Sequence, residues 1–443
     1  MIDDKVKTLI PEELVKETIK KCGIKKVGEA NIRELVKLVN SIEKETGIKF
    51  IRMEMGVPGL EVSEIAIEAE YEALKKGVAS KYPIIDGIDI LKKEFSRFLK
   101  LFLDIEVPEH CCIPTVGSMQ GAFAAFLIVS KLFKDRKTTL FIDPGFPVQK
   151  QQHVVLEIPY ITFDVYNYRG EKLKDKLNDI ISKNKISAIV YSNPNNPTWI
   201  CFTEKELEII GKIATDNDII VIEDLAYFAM DFRKDYSKPG LPPFQPTVSK
   251  YTDNYILLVS SSKIFSYAGQ RIAMIAVSPK LFNRNFDTLL EKFNHENFGY
   301  NFIYQIIYSL SGGVTHSVQY GLAALLKATN DAMYNFVENV KEYGRKAKLM
   351  KEILLKNNFY IVYDKDIDEP IADGFYFTFG YPGMSAGVLL EKLLCYGISA
   401  INLSITGSER KDGLRACVSQ VSNEQIKDFE ERIKMFTKFN PIY

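Results

Sequence analysis

Tyr255-Ile256-Leu257-Leu258-Val259-Ser260-Ser261-Ser262-Lys263 joins an unbroken apolar run to three hydroxyls and a lysine. A strand with one wet face alternates apolar and polar residues; a run without alternation is covered on both faces. Working outward, the same kind of run recurs at Thr139-Leu140-Phe141-Ile142, Ser187-Ala188-Ile189-Val190-Tyr191, Ile219-Ile220-Val221-Ile222 and Ile272-Ala273-Met274-Ile275-Ala276-Val277. Helical patterns separate several of them, and one begins at Thr203 with Glu206 spaced for a capping box. Buried strands alternating with helices predict an α/β fold, a mostly parallel sheet between helices.

Polar clusters follow three of these strands. Asn193-Pro194-Asn195-Asn196-Pro197-Thr198 follows Tyr191, Glu223-Asp224-Leu225-Ala226-Tyr227 follows Ile222, and Ser260 to Lys263 leads on to Ala268-Gly269-Gln270-Arg271. In a parallel sheet the carboxyl ends share one edge, where ligands bind. One place would then hold an amine, a guanidinium, a carboxylate, a phenol, an amide and hydroxyls. That set suits an anionic aromatic cofactor held by covalent and ionic contacts.

Toward the termini the pattern changes. Residues 31–39 carry apolar positions at helical spacing with Gly47 as a stop, and residues 48–55 roughly alternate before the turn at Gly56-Val57-Pro58-Gly59. Residues 328–357 read as one long charge-rich helix, and residues 374–379 and 414–419 as strands. The division expected is a large α/β domain over 56–325 and a smaller α+β domain made from 1–55 and 326–443.

The 443 residues hold 57 Lys+Arg against 57 Asp+Glu, so charge gives no reason to expect nucleic acid or an anionic membrane. Cys22, Cys111, Cys112, Cys201, Cys395 and Cys417 form no C-x-x-C pair, and the four histidines do not fall at metal-ligand spacing. No metal is expected. Residues 111–130 lack charge but contain Pro114, Gly117, Ser118, Gln120 and Gly121, which reads as a buried strand–turn–helix, with the helix over 120–133, and not as a membrane span. Met1-Ile2-Asp3-Asp4-Lys5 precedes no apolar run, so no signal peptide is expected, and a cytoplasmic address follows.

The clusters N-P-x-N-P-T, D-x-A-Y and S-x-S-K-x-F-x-x-A-G-x-R, in this order, resemble the class I/II aminotransferases of pyridoxal-phosphate fold type I. So do Tyr82-Pro83-Ile84-Ile85-Asp86-Gly87, Thr115-Val116-Gly117-Ser118, Pro144-Gly145-Phe146-Pro147 and Gly413-Leu414-Arg415, and the likeness covers about residues 56–419. The resemblance implies an aminotransferase moving an amino group between an L-amino acid and a 2-oxo acid by a ping-pong mechanism. Lys263 would form the Schiff base with pyridoxal 5′-phosphate and move the Cα proton. Asp224 would pair with the ring nitrogen, and Tyr227 and Asn196 would bond the ring oxygen. Arg271, Ser260, Ser262 and the backbone at Gly117, Ser118 and Met119 would hold the phosphate. Phe146 would stack on the ring. Arg415, with Gly56 and Asn196, would bind substrate, Arg415 gripping the carboxylate as a bidentate fork. Tyr82 would reach the phosphate of a second copy, which predicts a homodimer.

Taken singly, these residues have plainer readings: a surface lysine after a strand, a helix-capping aspartate, an Asn-Pro turn, a surface salt bridge at Arg415. A lyase or decarboxylase on the same fold would keep Lys263, Asp224 and Arg271. A ligand-sensing regulator needs an appended DNA-binding module, and the residues before Gly56 contain no basic helix-turn-helix. Trp199, the only tryptophan, stands where the family commonly has Gly after N-P-T. Because a bulky residue does not take a positive φ cheaply, the turn there is expected to be extended.

Overall fold

The structure is a computed structural model that describes residues 8–442. The amino-terminal Met1 to Lys5 stretch, which carries the expectation of no signal peptide, lies outside the described residues. Two compact units divide the chain: Leu60–Asn195 with Cys201–Val340, and Met1–Gly59 with Asn196–Ile200 and Lys341–Tyr443.

The first unit is built on seven strands: β1 (Cys112–Thr115), β2 (Thr138–Asp143), β3 (Tyr160–Asp164), β4 (Ile186–Ser192), β5 (Ile220–Asp224), β6 (Tyr255–Ser260) and β7 (Ala273–Val277). Their order is β1-β7-β6-β5-β4-β2-β3. β3, β2, β4, β5 and β6 run parallel, and β7 is antiparallel to both its neighbours, β1 and β6. Every residue of β1, β4, β5, β6 and β7 is buried, as the missing alternation requires. The charge-free stretch 111–130 is β1 followed by the helix Gly117–Val129, apolar on every side and packed on β6 and β7. That helix starts three residues earlier than expected, at Gly117 itself, and ends at Val129. The helix Glu204–Asp216 opens with the capping box read from the sequence: Thr203 Oγ1 accepts from Glu206 N at 3.2 Å and Glu206 Oε2 accepts from Thr203 N at 3.0 Å. Such a cap is worth about 1 kcal/mol.

The second unit is α+β. β8 (Tyr360–Ile361), β9 (Tyr376–Gly380), β10 (Ile401–Asn402) and β11 (Leu414–Cys417) form an antiparallel sheet ordered β10-β11-β9-β8. Ile51–Arg52 pairs in parallel with Ile398–Ser399. Helix Ile32–Thr46 is boxed by Asn31 and Glu34 and stopped by left-handed Gly47.

Two expectations fail here. The helix expected over 328–357 is two helices, His316–Asn330 and Phe336–Lys356. Asn335 Oδ1 accepts from Glu338 N at 3.0 Å, a local cap that starts the second helix anew. The turn at Trp199 is not extended, since Trp199 takes φ 66°. Its indole is fully buried, pressed on Gly374 and edge-on to Tyr376 with centroids 6.2 Å apart. The left-handed conformation costs about 1–2 kcal/mol, and burying a large apolar side chain stabilises by roughly 1.5–3 kcal/mol. Burial wins.

Among the described residues no helix is long and apolar enough to cross a membrane. No group of three or more His, Cys, Asp or Glu among them is placed to hold a metal ion, and all six cysteines are free thiols.

Candidate active site

Register alone assembles one cluster. Ser192 at the end of β4 stands opposite Asp224 at the end of β5. Ser260 at the end of β6 and Thr115 at the end of β1 both stand opposite Ala273, the first residue of antiparallel β7. Asp143 closes β2, and Arg271 lies two residues before β7. The chain therefore brings Asp224, the Ser260–Lys263 turn, Arg271 and the Thr115–Met119 segment to a single edge of the sheet.

Asp224 is buried. Its Oδ2 accepts from Gln149 Nε2 at 2.8 Å and its Oδ1 from Ala226 N at 3.1 Å. Burial pushes the carboxyl up to about 6, against the pull of those two donors. No cation pairs with it among the described residues. Its neighbour Glu223 points elsewhere, taking Thr247 Oγ1 at 2.6 Å and Val248 N at 3.1 Å on Oε2, and burial raises it to about 7. Tyr227, in the turn after β5, is buried.

Lys263 sits half-buried in the short helical turn Ser261–Ile264. Ser260 Oγ caps that turn by accepting from Ser262 N at 3.2 Å, and Ser261 Oγ fastens it by donating to Ile272 O at 2.5 Å. Ser260 and Ser262 are both buried. Arg271 adopts φ 52°, and its Nη1 donates to Ala268 O at 2.8 Å, which leaves Nη2 against Gly117. Gly117 has φ 65°, and any Cβ there would strike that guanidinium. Val116 gives the helix Gly117–Val129 no side-chain cap, so the N–H groups of Gly117, Ser118 and Met119 begin the helix beside a guanidinium. Such a corner attracts a phosphate.

Phe146, half-buried, immediately precedes the helix Pro147–Val155. Asn195 Nδ2 donates to Pro144 O at 2.8 Å, and Lys150 Nζ lies 2.5 Å from Asp143 Oδ2, so the Pro144–Phe146 turn is held from both sides. Three further side chains of the Pro147–Val155 helix point inward. Gln149 reaches Asp224, Gln152 Nε2 donates to Met119 O at 2.9 Å, and His153 bridges Gln149 O and Thr139 Oγ1, each at 2.9 Å. Burial lowers His153 to about 4, so it is neutral. Sequence reading missed Gln149 and Gln152; Pro147, a favoured first helical residue, places both one turn apart on the same helix. Tyr82 stands apart, 97% exposed.

The second unit holds its own cluster. Arg415 in β11 is 2% exposed. Its Nη2 donates to Glu54 O at 2.6 Å, its Nη1 is 3.5 Å from Asn196 Oδ1, and its guanidinium lies 4.6 Å over the Tyr376 ring. Arg415 Nε is buried with no hydrogen-bond partner among the described residues, a donor suited to an added carboxylate. Gly56 is half-buried, and the Tyr376 hydroxyl fills the place its side chain would take.

A buried carboxylate lacking a cation fits a protonated pyridine nitrogen. An uncapped helix start beside an arginine and buried serines fits a phosphate, and a lysine on the same edge fits an aldehyde. Together these groups fit pyridoxal phosphate on an α/β fold. The profile of the family "Aminotransferase class I and II" matches residues 48–433. A probable aspartate aminotransferase of Methanocaldococcus jannaschii is 25% identical over 320 residues, 72% of this chain and 76% of that protein. Aromatic-amino-acid aminotransferase 2 of Thermococcus litoralis is 29% identical over 260 residues, 56% of this chain and 61% of that one. A double mutant of Thermus thermophilus aspartate aminotransferase superposes with a TM-score of 0.74 at 16% identity, covering 92% of this chain and 96% of that one. The chain belongs to the aminotransferase class I and II family. It is a pyridoxal-phosphate-dependent transaminase of that family's fold, for which an amino acid and a 2-oxo acid are the substrates.

Proposed function

We propose that Lys263 is the catalytic lysine of transamination between an L-amino acid and a 2-oxo acid, with Asp224, Arg271 and Arg415 making the principal ionic contacts to cofactor and substrate. The observation that carries this reading is the buried Asp224 carboxylate with only neutral donors, on the sheet edge that also bears Lys263 and Arg271. Pyridoxal phosphate, bound there, supplies an aldehyde for the lysine and a ring that takes up the electron pair released at the substrate's Cα. Asp224 keeps the ring nitrogen's proton in place. Tyr227 and Asn196 offer hydrogen bonds to the ring oxygen, and Phe146 an apolar face for the ring. Gly117, Ser118 and Met119 present backbone N–H groups, and Ser260, Ser262 and Arg271 side-chain donors, to the phosphate, at about 1.5–3 kcal/mol for each charge-assisted bond. Arg415 takes the α-carboxylate, with the Gly56 backbone approaching the substrate, and thereby fixes which bond at Cα is weakened. Lys263 Nζ, once freed, carries the proton away from Cα.

The protein acts as a homodimer in this reading, Tyr82 donating to the phosphate held by a second copy; the 97% exposure of that phenol supports it. A cytoplasmic address fits the balanced charge and the free thiols. Borohydride reduction followed by peptide mapping tests the centre of the proposal. Label on the peptide containing Lys263 is expected; label on another lysine overturns it.

A further inference from the structure

We propose that Gln149 is the positioning residue for Asp224, its side-chain amide holding that carboxylate ionised and in a single rotamer for the cofactor's ring nitrogen; this rests on the reading of Asp224 given above. Among the described residues Asp224 receives two hydrogen bonds, one on each oxygen, and both come from N–H donors: Ala226 N and Gln149 Nε2. Donors stabilise the carboxylate and give nothing to the protonated acid. The Ala226 bond belongs to the backbone and is present whatever side chain stands there. Among the described residues Gln149 is the one side chain that donates to Asp224, and at 6% exposure it is itself buried.

The titratable groups on the surrounding elements have tasks of their own. Glu223, the preceding residue of β5, is bound by Thr247 and Val248. Asp143 at the end of β2 pairs with Lys150 of the Gln149 helix. Tyr227 follows β5, and Lys263 follows β6, the strand whose Leu258 stands opposite Asp224. Burial alone would keep Asp224 protonated toward neutrality, and a protonated aspartate cannot pair with a pyridinium. The glutamine offsets that tendency. Its helix is pinned on both sides, by His153 to β2 and by Gln152 to Met119, so the amide does not wander.

The sign of the pH dependence follows. Without the Gln149 donor, the cofactor-free chain holds a proton on Asp224 to higher pH, and binding must then expel it. Above that raised pKa no proton needs expelling, and the defect shrinks. A packing role for Gln149 has no such dependence.

The test uses pyridoxamine 5′-phosphate, which has no aldehyde and so reports the non-covalent site. Dissociation constants of the full chain, of Gln149→Met and of Asp224→Asn are measured by calorimetry at about pH 6.5 and about pH 8.5, either side of a moderately raised carboxyl. Ratios to wild type cancel the ligand's own titrations. Gln149→Met is expected to weaken binding about tenfold or more at the lower pH and markedly less at the higher; Gln149→Ala serves if the methionine variant does not fold. Equal weakening at both pH values, or none, overturns the inference. Should Asp224→Asn bind as wild type does, the reading of Asp224 falls, and this inference with it. Should Asp224→Asn fail while Gln149→Met binds normally, the inference alone falls.

Discussion

The Arg271 guanidinium occupies the space that a side chain on Gly117 would need. Two stretches of chain more than a hundred and fifty residues apart therefore build one corner, and neither tolerates change without the other. Gly117→Ala is expected to push Nη2 out of that corner and remove one charge-assisted bond to phosphate. Affinity for pyridoxal phosphate should fall by about tenfold to a hundredfold, while the KM for the amino acid at saturating cofactor stays close to wild type. Fluorescence titration of cofactor beside steady-state kinetics separates the two.

Gly56 and Tyr376 form a second such pair, in the other unit. Gly56→Ala should destabilise the protein by about 1–3 kcal/mol through overpacking. Tyr376→Phe removes the hydroxyl that stands in the way. A double-mutant cycle followed by urea unfolding should recover much of the loss; strict additivity would contradict the contact.

Arg415→Lys preserves charge and discards the fork. Since the guanidinium also holds Glu54 O and lies over Tyr376, its replacement should lower kcat/KM by about a hundredfold, a loss of roughly 3 kcal/mol at the transition state. Initial rates with a panel of amino acids should register this loss for every substrate, because each carries the α-carboxylate.

Glu223 gives a pH signature separate from catalysis. Burial raises its carboxyl to about 7, above its unfolded value near 4.5. A native state that keeps its proton longer than the unfolded chain loses stability as pH rises between those values, and the loss is complete above about 7. Glu223→Gln stays neutral throughout. Thermal melts should show the variant gaining on wild type from about pH 5 to about pH 8; a constant difference would contradict the assignment.

Transamination uses one site twice, so double-reciprocal plots with a competent donor and acceptor should be parallel. Intersecting lines would exclude the ping-pong order.

The sheet and its edge are legible in the amino-acid sequence. Apolar runs without alternation announce strands buried on both faces, and in such a sheet the residues just past Tyr191, Ile222 and Val259 have to meet. Gln149 is not legible in that way. Its partner is 75 positions away, and a glutamine in a helix carries no mark of what it faces. Trp199 misleads because propensity states what a conformation costs a residue in isolation, whereas the indole is committed to the interior beside Gly374. The break before Phe336 is readable in principle: Asn335 followed three residues later by Glu338 is a helix start, hidden by charged residues that fit helices on either side.

The helix Pro147–Val155 touches Asp224 through Gln149, the Met119 carbonyl through Gln152, and β2 through His153. The same nine residues thus work as a gauge block between the residues proposed to receive the ring and those proposed to receive the phosphate. A shift of this helix by a fraction of an ångström would mis-set both ends together. Cofactor affinity should accordingly be sensitive to substitutions on the face of the helix opposite Gln149 and Gln152.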